Sequence, residues 1–426
     1  MITLLTGAGH ELVDEETEAE AIVVNTCCFI HDALEESIQT VLEMARYKEE
    51  GSLKALIVAG CLAQQYQHEI RQEIPEVDAV LGTTAAKEIV NALSAAARGK
   101  PFDSFAPLDA PPPASPDRMV STGGHYAYLK IAEGCDKHCT YCIIPKLRGP
   151  YRSVPMEELT AQAERLAGKG VKELILVAQE TTVYGVDLYG KKSLHLLLKA
   201  LCQTEGIRWI RLLYCYPEEI YPELIQTIRD EKKICHYVDM PIQHASDRIL
   251  ARMGRKTTRS DLERIIGQLR EQIPDIVLRT TPISGFPGET QEDHELLYDF
   301  VNEMEFDRLG VFPYAAMEGT PAAEMPDQVP EETKLTRRDE LMELAQEISL
   351  EKGQDRIGRE LTVMIEGRMS GESALAARSY ADAPKVDGLV FVQTEQPLVT
   401  GDFAKVRITG ALEYDLIGEL SDEYTE

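Results

Sequence analysis

The sequence predicts an α/β protein of three parts: an N-terminal open α/β domain, a central βα barrel and a small C-terminal β-barrel. Three observations predict this division. A proline-rich segment interrupts the first third of the chain, alternating strand and helix patterns follow it, and short strands with frequent turns close the chain. At 426 residues the chain is too long for one core, which agrees with several domains.

The N-terminal domain is predicted over residues 1–105. Two short apolar runs, AEAIVVNTCCF and LKALIVAGCLAQ, contain Cys27 and Cys61 at their ends, and an amphipathic pattern, DALEESIQTVLEMARYKEE, lies between them. Apolar β-branched runs that alternate with helices are typical of a parallel sheet with helices on its faces. Residues 106–118, APLDAPPPASPDR, fit neither a helix nor a central strand and are predicted to be a linker.

Residues 119–353 are predicted to form the barrel. Six strand candidates, separated by amphipathic stretches, are YAYLKIAEG, VKELILVAQE, IRWIRLLYCYP, CHYVDMPIQ, DIVLRTTPISG and RLGVFPYAA. Six successive βα units fit a full or partial βα barrel, whose chemistry lies at the C-terminal ends of the strands. A charged helical pattern then leads into residues 354–426, whose alternating strands predict the small β-barrel.

The charge of the chain limits its partners. It carries 44 Lys and Arg against 72 Asp and Glu, a net charge of −28. Such a balance repels polyanions and attracts basic partners, so a general nucleic-acid binder is not expected. We also expect no secretory signal and no membrane span, and therefore a cytoplasmic protein.

The chemistry is concentrated in the segment EGCDKHCTYCIIPKLRGP, which places Cys135, Cys139 and Cys142 within eight positions. Four thiolates would close an iron–sulfur cluster, whereas three leave one iron open to bind a substrate. The segment follows the first barrel strand, where Gly134 would relieve backbone crowding. The spacing predicts three ligands of an iron–sulfur cluster. The alternative is a structural zinc site completed by His138.

This motif, C-x3-C-x2-C with the aromatic Tyr141 before its last cysteine, resembles that of the radical S-adenosylmethionine (SAM) enzymes. The resemblance extends over nearly the whole chain to the methylthiotransferase family. Cys27 and Cys61 match two further motif cysteines of that family, TTPISGFPGET (280–290) is similar to its glycine motif near SAM, and the closing β-barrel is similar to its TRAM domain.

The resemblance implies two 4Fe–4S clusters. Cys135, Cys139 and Cys142 are the implied catalytic residues, holding a cluster whose open iron binds SAM and whose electron cleaves it to a 5′-deoxyadenosyl radical. Cys27 and Cys61 are implied metal ligands of an auxiliary cluster, at which one SAM gives a methyl group to sulfur. A sulfur donor and an electron donor such as flavodoxin or ferredoxin are implied partners.

Tyr141, Gln179 and Gly285 are the implied cofactor-binding residues. Gln179 ends the strand ELILVAQE, where related enzymes place a polar group at the SAM amino group; a polar helix-entry residue is the alternative. Gly285 would let the backbone approach SAM, or its motif only shapes a turn. The basic segment PKLRGPYR (145–152) either positions a substrate or carries solvated charge, and His244 is either a cavity residue or a structural histidine.

Members of the family open with a strand that ends in Gly-Cys, and that cysteine is the first auxiliary ligand. This chain opens on MITLLTGAGHELVDEE, so we expect that first strand and its cysteine to be missing and the auxiliary cluster to be unstable. Cys28 is a poor substitute, because neighbouring side chains of a strand point to opposite faces. Cys28 and the remaining cysteines, Cys202, Cys215 and Cys235, are predicted core residues.

Two branches of the family differ in substrate. One modifies an adenosine of transfer RNA; the other, the RimO type, modifies the β-carbon of an aspartate in small-subunit ribosomal protein twelve. Residues 354–426 hold 7 basic and 14 acidic residues, which suits a basic ribosomal protein better than a phosphate backbone. The sequence therefore predicts the RimO-type reaction. The alternatives are transfer RNA modification, SAM cleavage without sulfur insertion, and a non-catalytic iron–sulfur or partner-binding protein.

Overall fold

The computed structural model describes residues 1–112, 118–120, 122–369 and 374–421. The chain divides into two compact units. Residues 1–119, 132–154 and 315–324 form the N-terminal unit, and residues 120–131, 155–314 and 325–426 form the barrel unit. The predicted linker, residues 106–118, lies partly outside the described residues, and the predicted boundaries at residues 105, 118 and 353 stay a prediction.

A four-stranded parallel sheet in the order β1–β2–β3–β4 forms the core of the N-terminal unit. Its strands are β1 (Ala21–Thr26), β2 (Ala55–Gly60), β3 (Ala79–Leu81) and β4 (Phe102–Ser104). Its helices are α1 (Ile2–Gly7), α2 (His31–Ala45), α3 (Tyr47–Glu50), α4 (Cys61–Tyr66), α5 (Glu69–Glu73) and α6 (Ile89–Ala96). Leu56 and Val58 of β2 enter one apolar core and Ile57 enters another, which explains the continuous apolar run of this strand.

The same unit contains the three-cysteine segment. A short antiparallel pair, β6 (Ala132–Glu133) and β7 (Arg152–Ser153), frames it. Between these strands lies α7 (Ile144–Arg148), a single helical turn.

The barrel unit is built on a six-stranded parallel sheet in the order β13–β11–β10–β9–β8–β5. Its strands are β5 (Tyr126–Lys130), β8 (Glu173–Val177), β9 (Trp209–Leu212), β10 (Ile234–Asp239), β11 (Val277–Thr280) and β13 (Arg308–Leu309). Each predicted strand candidate supplies one strand of this sheet, in chain order from one edge to the other. Since β5 and β13 are edges of this sheet, the predicted partial βα barrel is confirmed.

Helices and one further strand pair surround this sheet. The helices are α8 (Met156–Gly168), α9 (Val186–Tyr189), α10 (Leu194–Cys202), α11 (Pro222–Asp230), α12 (Asp247–Arg252), α13 (Arg259–Gln272), α14 (Gln291–Met304) and α15 (Glu331–Gln354). The pair is β12 (Ile283–Ser284) with β14 (Phe312–Pro313). Over the ranges that the structure describes, no helix is long and apolar enough to cross a membrane.

The C-terminal part of the barrel unit is a closed five-stranded β-barrel, as the sequence predicts. Its strands are β15 (Glu360–Arg368), β16 (Ala374–Ser379), β17 (Val390–Gln393), β18 (Phe403–Ala411) and β19 (Leu416–Leu420). They follow the order β15–β16–β17–β19–β18, and antiparallel pairing of β15 with β18 closes the barrel. Residues 370–373 and 422–426 lie outside the described ranges.

A buried ion network joins the six-stranded sheet to this small barrel. Glu173, the first residue of β8, accepts hydrogen bonds from Nε of Arg211 (2.8 Å) and Nη2 of Arg378 (2.7 Å). All three side chains are at most 1% exposed. Burial by itself would raise the pKa of Glu173, but the two guanidinium groups outweigh burial and hold that pKa below its ordinary value.

Replacing Glu173 with glutamine is expected to destabilise the barrel unit by about 3 kcal/mol, because two buried guanidinium groups lose their counter-charge. Thermal unfolding followed by circular dichroism measures the effect. Because the pKa of Glu173 is lowered by folding, its contribution is complete above its unfolded value of about 4.3 and is lost as the pH falls through the folded value.

The matched control is Glu360→Gln, which removes an exposed strand carboxylate whose partner is Lys405 at 3.3 Å. This change is expected to leave the unfolding midpoint unaltered, since exposed pairs contribute little. Equal midpoint shifts for the two variants would contradict the importance of the buried network.

Candidate functional site

The three cysteines lie in a closed loop, residues 134–151, with the β6–β7 pair at its base. Gly134 has a φ of +81°, and a Cβ atom there would lie 2.1 Å from the carbonyl oxygen of Pro150. The backbone N–H of Cys135 donates to the carbonyl oxygen of Gly149 at 3.2 Å. Since only glycine tolerates both the φ value and the close approach, the loop cannot close in this way with another residue at position 134.

The thiols of this loop are shielded from water. Cys135 and Cys139 are buried and Cys142 is half-buried. Burial, with smaller contributions from the neighbouring Cys139 and Cys135, raises the pKa of Cys142 to about 12. A thiol with this pKa keeps its proton at neutral pH unless a bound positive centre compensates the thiolate charge, so binding of such a centre to Cys142 would release a proton.

The donor set fits an iron–sulfur cluster better than a single metal ion. Within the part of the chain that the structure describes, no three His, Cys, Asp or Glu side chains converge tightly enough to hold one ion. His138, the fourth ligand in the zinc alternative, is exposed. A cluster binds each thiolate through a different iron atom. Three neighbouring thiols in one loop agree with three cluster ligands and one open iron.

Cys27 and Cys61 follow the C-terminal ends of adjacent parallel strands. Thr26 at the end of β1 pairs with Gly60 at the end of β2, so the next residue of each strand lies at the same sheet edge. Gly60 has a φ of +103°, and a Cβ atom there would lie 2.6 Å from the carbonyl oxygen of Thr26. The Ser37 hydroxyl accepts from the N–H of Cys27 (3.0 Å) and donates to its carbonyl oxygen (2.9 Å). Strand pairing and α2 therefore fix the backbone of the two cysteines.

Cys28 lies just after β1 rather than within it, so the predicted alternation of strand side chains does not apply to it. It is buried in the apolar core that also contains Cys61. Burial, with smaller contributions from Cys61 and Cys27, raises the pKa of Cys28 to about 12. Cys202, Cys215 and Cys235 are also buried, as predicted for core residues.

Arg148, the last residue of α7, connects the cysteine loop to Cys61. Its Nη2 donates to Sγ of Cys61 (3.2 Å) and its Nη1 donates to Oε1 of Glu133 (3.2 Å). Burial raises the pKa of Cys61, and the Arg148 charge opposes that rise. Arg152 is buried and donates to the carbonyl oxygen of Arg148. The alternative in which residues 145–152 only carry solvated charge therefore does not hold for these two arginines, and a role of the segment in positioning a substrate stays a prediction.

Of the three residues predicted to contact SAM, one lies in the N-terminal unit and two lie in the barrel unit. Tyr141 is half-buried in the cysteine loop of the N-terminal unit. In the barrel unit, Gln179 is half-buried two residues beyond β8, and Gly285 directly follows β12. Gly285 has a φ of +69°, and a Cβ atom there would lie 2.3 Å from Cγ of Lys334. Packing against α15 therefore already requires this glycine, and its contact with SAM stays a prediction.

His244 has the contacts of a structural histidine. It is fully buried, and its Nδ1 accepts the backbone N–H groups of Ala245 and Ser246, both at 2.9 Å. Its other ring nitrogen, Nε2, faces a carboxylate oxygen of Glu289 at 3.5 Å. These contacts fix the ring within the fold and favour the structural alternative over a cavity residue.

In the metal-free protein, Cys142 is expected to react slowly with iodoacetamide at pH 8. Raising the thiol pKa from 9.0 to about 12 lowers the reactive thiolate fraction by about 1000-fold. Timed alkylation followed by peptide mass spectrometry measures the rate, with the same chain unfolded in urea as reference. Equal rates for the folded and unfolded protein would contradict the burial of this thiol.

Three segments of the chain match known families. Residues 129–301 match the radical SAM superfamily, residues 1–82 match the uncharacterized protein family UPF0004, and residues 357–420 match the TRAM domain. Among solved structures, the chain is similar to the radical S-adenosylmethionine methyltransferase TsrM from Kitasatospora setae. The TM-score is 0.52 at 13% identity, and the match covers 71% of this chain and 63% of that one, which shows a shared fold.

Relatives of known name match almost the whole chain. A protein of Lachnoclostridium phytofermentans, named ribosomal protein uS12 methylthiotransferase RimO, is 57% identical over 98% of this chain and 95% of its own length. Proteins of the same name from Pelotomaculum thermopropionicum and Clostridioides difficile are 50% and 46% identical. They cover 98% and 99% of this chain, and 95% and 94% of their own lengths. The chain therefore belongs to the RimO family of radical SAM methylthiotransferases.

Proposed function

We propose that this chain transfers a methylthio group to the β-carbon of an aspartate in ribosomal protein uS12. The observation that carries the proposal is the closed loop of residues 134–151, which gathers three shielded thiols. The family to which the chain belongs is named for the same substrate protein and the same group transfer.

In this proposal Cys135, Cys139 and Cys142 hold a 4Fe–4S cluster, and SAM binds at the iron that lacks a protein ligand. When bound, cluster and SAM together supply a carbon radical that removes hydrogen from an unactivated C–H bond. The chain itself gathers the three thiols, shields them from water and closes the loop around them. The loop is closed by the close packing of Gly134 against the carbonyl oxygen of Pro150 and by the pairing of β6 with β7.

Cys27 and Cys61 are the proposed ligands of a second 4Fe–4S cluster. Their backbones are fixed at one sheet edge, and Ser37 and Arg148 contact the two residues directly. This cluster would carry the sulfur that becomes the methylthio group. The partners that the reaction requires are a sulfur donor and a low-potential electron donor such as flavodoxin or ferredoxin.

Tyr141, Gln179 and Gly285 are the proposed SAM contacts, and the substrate is proposed to meet the enzyme in the cytoplasm. The proposed domains are an N-terminal domain (1–105), a linker (106–118), the radical SAM barrel (119–353) and the TRAM domain (354–426). A net charge of −28 supports a basic protein substrate over transfer RNA, because an acidic surface repels a phosphate backbone.

The test is oxygen-free reconstitution with iron and sulfide, followed by addition of SAM, dithionite and uS12. The unchanged chain is expected to form 5′-deoxyadenosine and to add a methylthio mass to uS12. Cys139→Ala is expected to abolish both products, because the cluster loses one of its three ligands. Liquid chromatography and intact-protein mass spectrometry measure the two products.

The matched control is Cys202→Ala, which removes a buried cysteine of α10 in the barrel unit and is expected to keep both activities. Transfer RNA is added in a parallel reaction. A methylthio group on transfer RNA with none on uS12 would overturn the proposed substrate. Undiminished 5′-deoxyadenosine from Cys139→Ala would overturn the proposed cluster.

A further inference from the structure

We propose that Arg148 is a positioning residue of the Cys27–Cys61 site. Through a charge-assisted hydrogen bond, it holds the Cys61 sulfur from within the three-cysteine loop. The inference rests on the proposed function, in which Cys61 is a ligand of the second cluster. Arg148 belongs to the loop of the three cysteines, yet its proposed role is at the Cys27–Cys61 site.

The geometry of the guanidinium group carries this inference. One terminal nitrogen of Arg148 lies 3.2 Å from Sγ of Cys61, and the other lies 3.2 Å from a carboxylate oxygen of Glu133. The side chains of Arg148 and Glu133 are 22% and 12% exposed, so both contacts are largely removed from solvent. The planar guanidinium group can donate hydrogen bonds to a sulfur atom and to a carboxylate at the same time. The single ammonium group of a lysine cannot do this in the same geometry.

Contacts on either side of Arg148 fix its backbone. The carbonyl oxygen of Leu147 accepts a hydrogen bond from the Thr83 hydroxyl (2.7 Å), just beyond the end of β3. The carbonyl oxygen of Arg148 accepts one from Nη2 of Arg152 (3.1 Å). Gly149 then turns the chain with a φ of +74°. An arginine that served only solubility would need none of these restraints.

Cys61 is also packed within an apolar cluster. Leu147 and Cys61 are each 1% exposed and belong to the same apolar cluster, together with Leu62 of α4. In such surroundings a thiolate has no water to stabilise it, and the N–H of Arg148 supplies that stabilisation directly. The predicted consequence is that Arg148 strengthens binding of a cluster at Cys61.

The same contact is expected to tune the redox potential. A hydrogen bond donated to a ligand sulfur stabilises the more negative, reduced state of an iron–sulfur cluster and so raises its reduction potential. If Arg148 served only to pair with Glu133 and brace the loop, its removal would change stability without changing that potential. The potential therefore separates positioning of Cys61 from simple bracing.

The experiment uses the full chain in which Cys135, Cys139 and Cys142 are all changed to alanine, so that only the other cysteines can load a cluster. Arg148→Gln and Arg148→Lys are compared in this background. The control is Lys146→Gln, which removes a charge from the same helix; Lys146 is exposed and donates to the carbonyl oxygen of Gly319. Iron per chain and the midpoint potential, followed by electron paramagnetic resonance, are measured.

Arg148→Gln is expected to lower the cluster affinity by about 10-fold, as for other partners of metal ligands, and to lower the midpoint potential. Arg148→Lys, which keeps the charge, is expected to restore part of the potential. Lys146→Gln is expected to behave like the background protein. Thermal unfolding of the metal-free variants shows whether each one folds. If Arg148→Gln does not fold, the iron content and midpoint potential of Arg148→Lys decide the outcome.

Unchanged iron content and potential in Arg148→Gln would overturn the role of Arg148 and leave the proposed function standing. An equal loss in Lys146→Gln would also overturn it, because the effect would not depend on the contact with Cys61. Absence of iron from the background protein would overturn this inference together with the second cluster. Methylthiolation of uS12 by the unchanged chain tests the proposed function separately.

Discussion

The approach of Gly134 to Pro150 is the constraint on which the candidate site depends. At this point the two ends of an eighteen-residue loop come so close that a Cβ atom has no room. Closure brings Cys135, Cys139 and Cys142 near one another and shields their thiols from water. An open loop would leave three exposed thiols at variable distances, and a cluster would then have to offset the entropy of ordering them. The rarely tolerated backbone conformation is therefore part of the site.

Both sets of candidate ligands lie in the N-terminal unit, although they are far apart in sequence. Parallel strand pairing places Cys27 and Cys61 at one sheet edge. Arg148 connects the cysteine loop to that edge by its hydrogen bond to the Cys61 sulfur. In the proposed reaction, sulfur is held at one site and hydrogen removal begins at the other. The N-terminal unit contains both cysteine sets, and the contact of Arg148 with Cys61 links them, which suits a reaction that uses two sites. The barrel unit has its own stabilising network, centred on Glu173.

The fold was predictable from local patterns, whereas the contacts between distant residues were not. Six apolar runs predicted the six parallel strands, and the cysteine spacing alone predicted the three thiols of the loop. The contact of Arg148 with Cys61 spans 87 residues and that of Arg378 with Glu173 spans 205, so no periodicity or spacing reveals either. Gly285 was singled out for SAM, yet the sequence could not show that Lys334 fills the space beside it. Cys28 was placed inside a strand because strand ends are the least certain part of such a prediction.

The most direct test of the central claim is diffraction from crystals of the oxygen-free, iron-reconstituted protein, measured on both sides of the iron and zinc absorption edges. We expect an iron signal from a cluster bound by the sulfur atoms of Cys135, Cys139 and Cys142, with one iron free of protein ligands. A single zinc ion in the loop with His138 as its fourth ligand would contradict this expectation, as would an absence of iron at these three sulfur atoms.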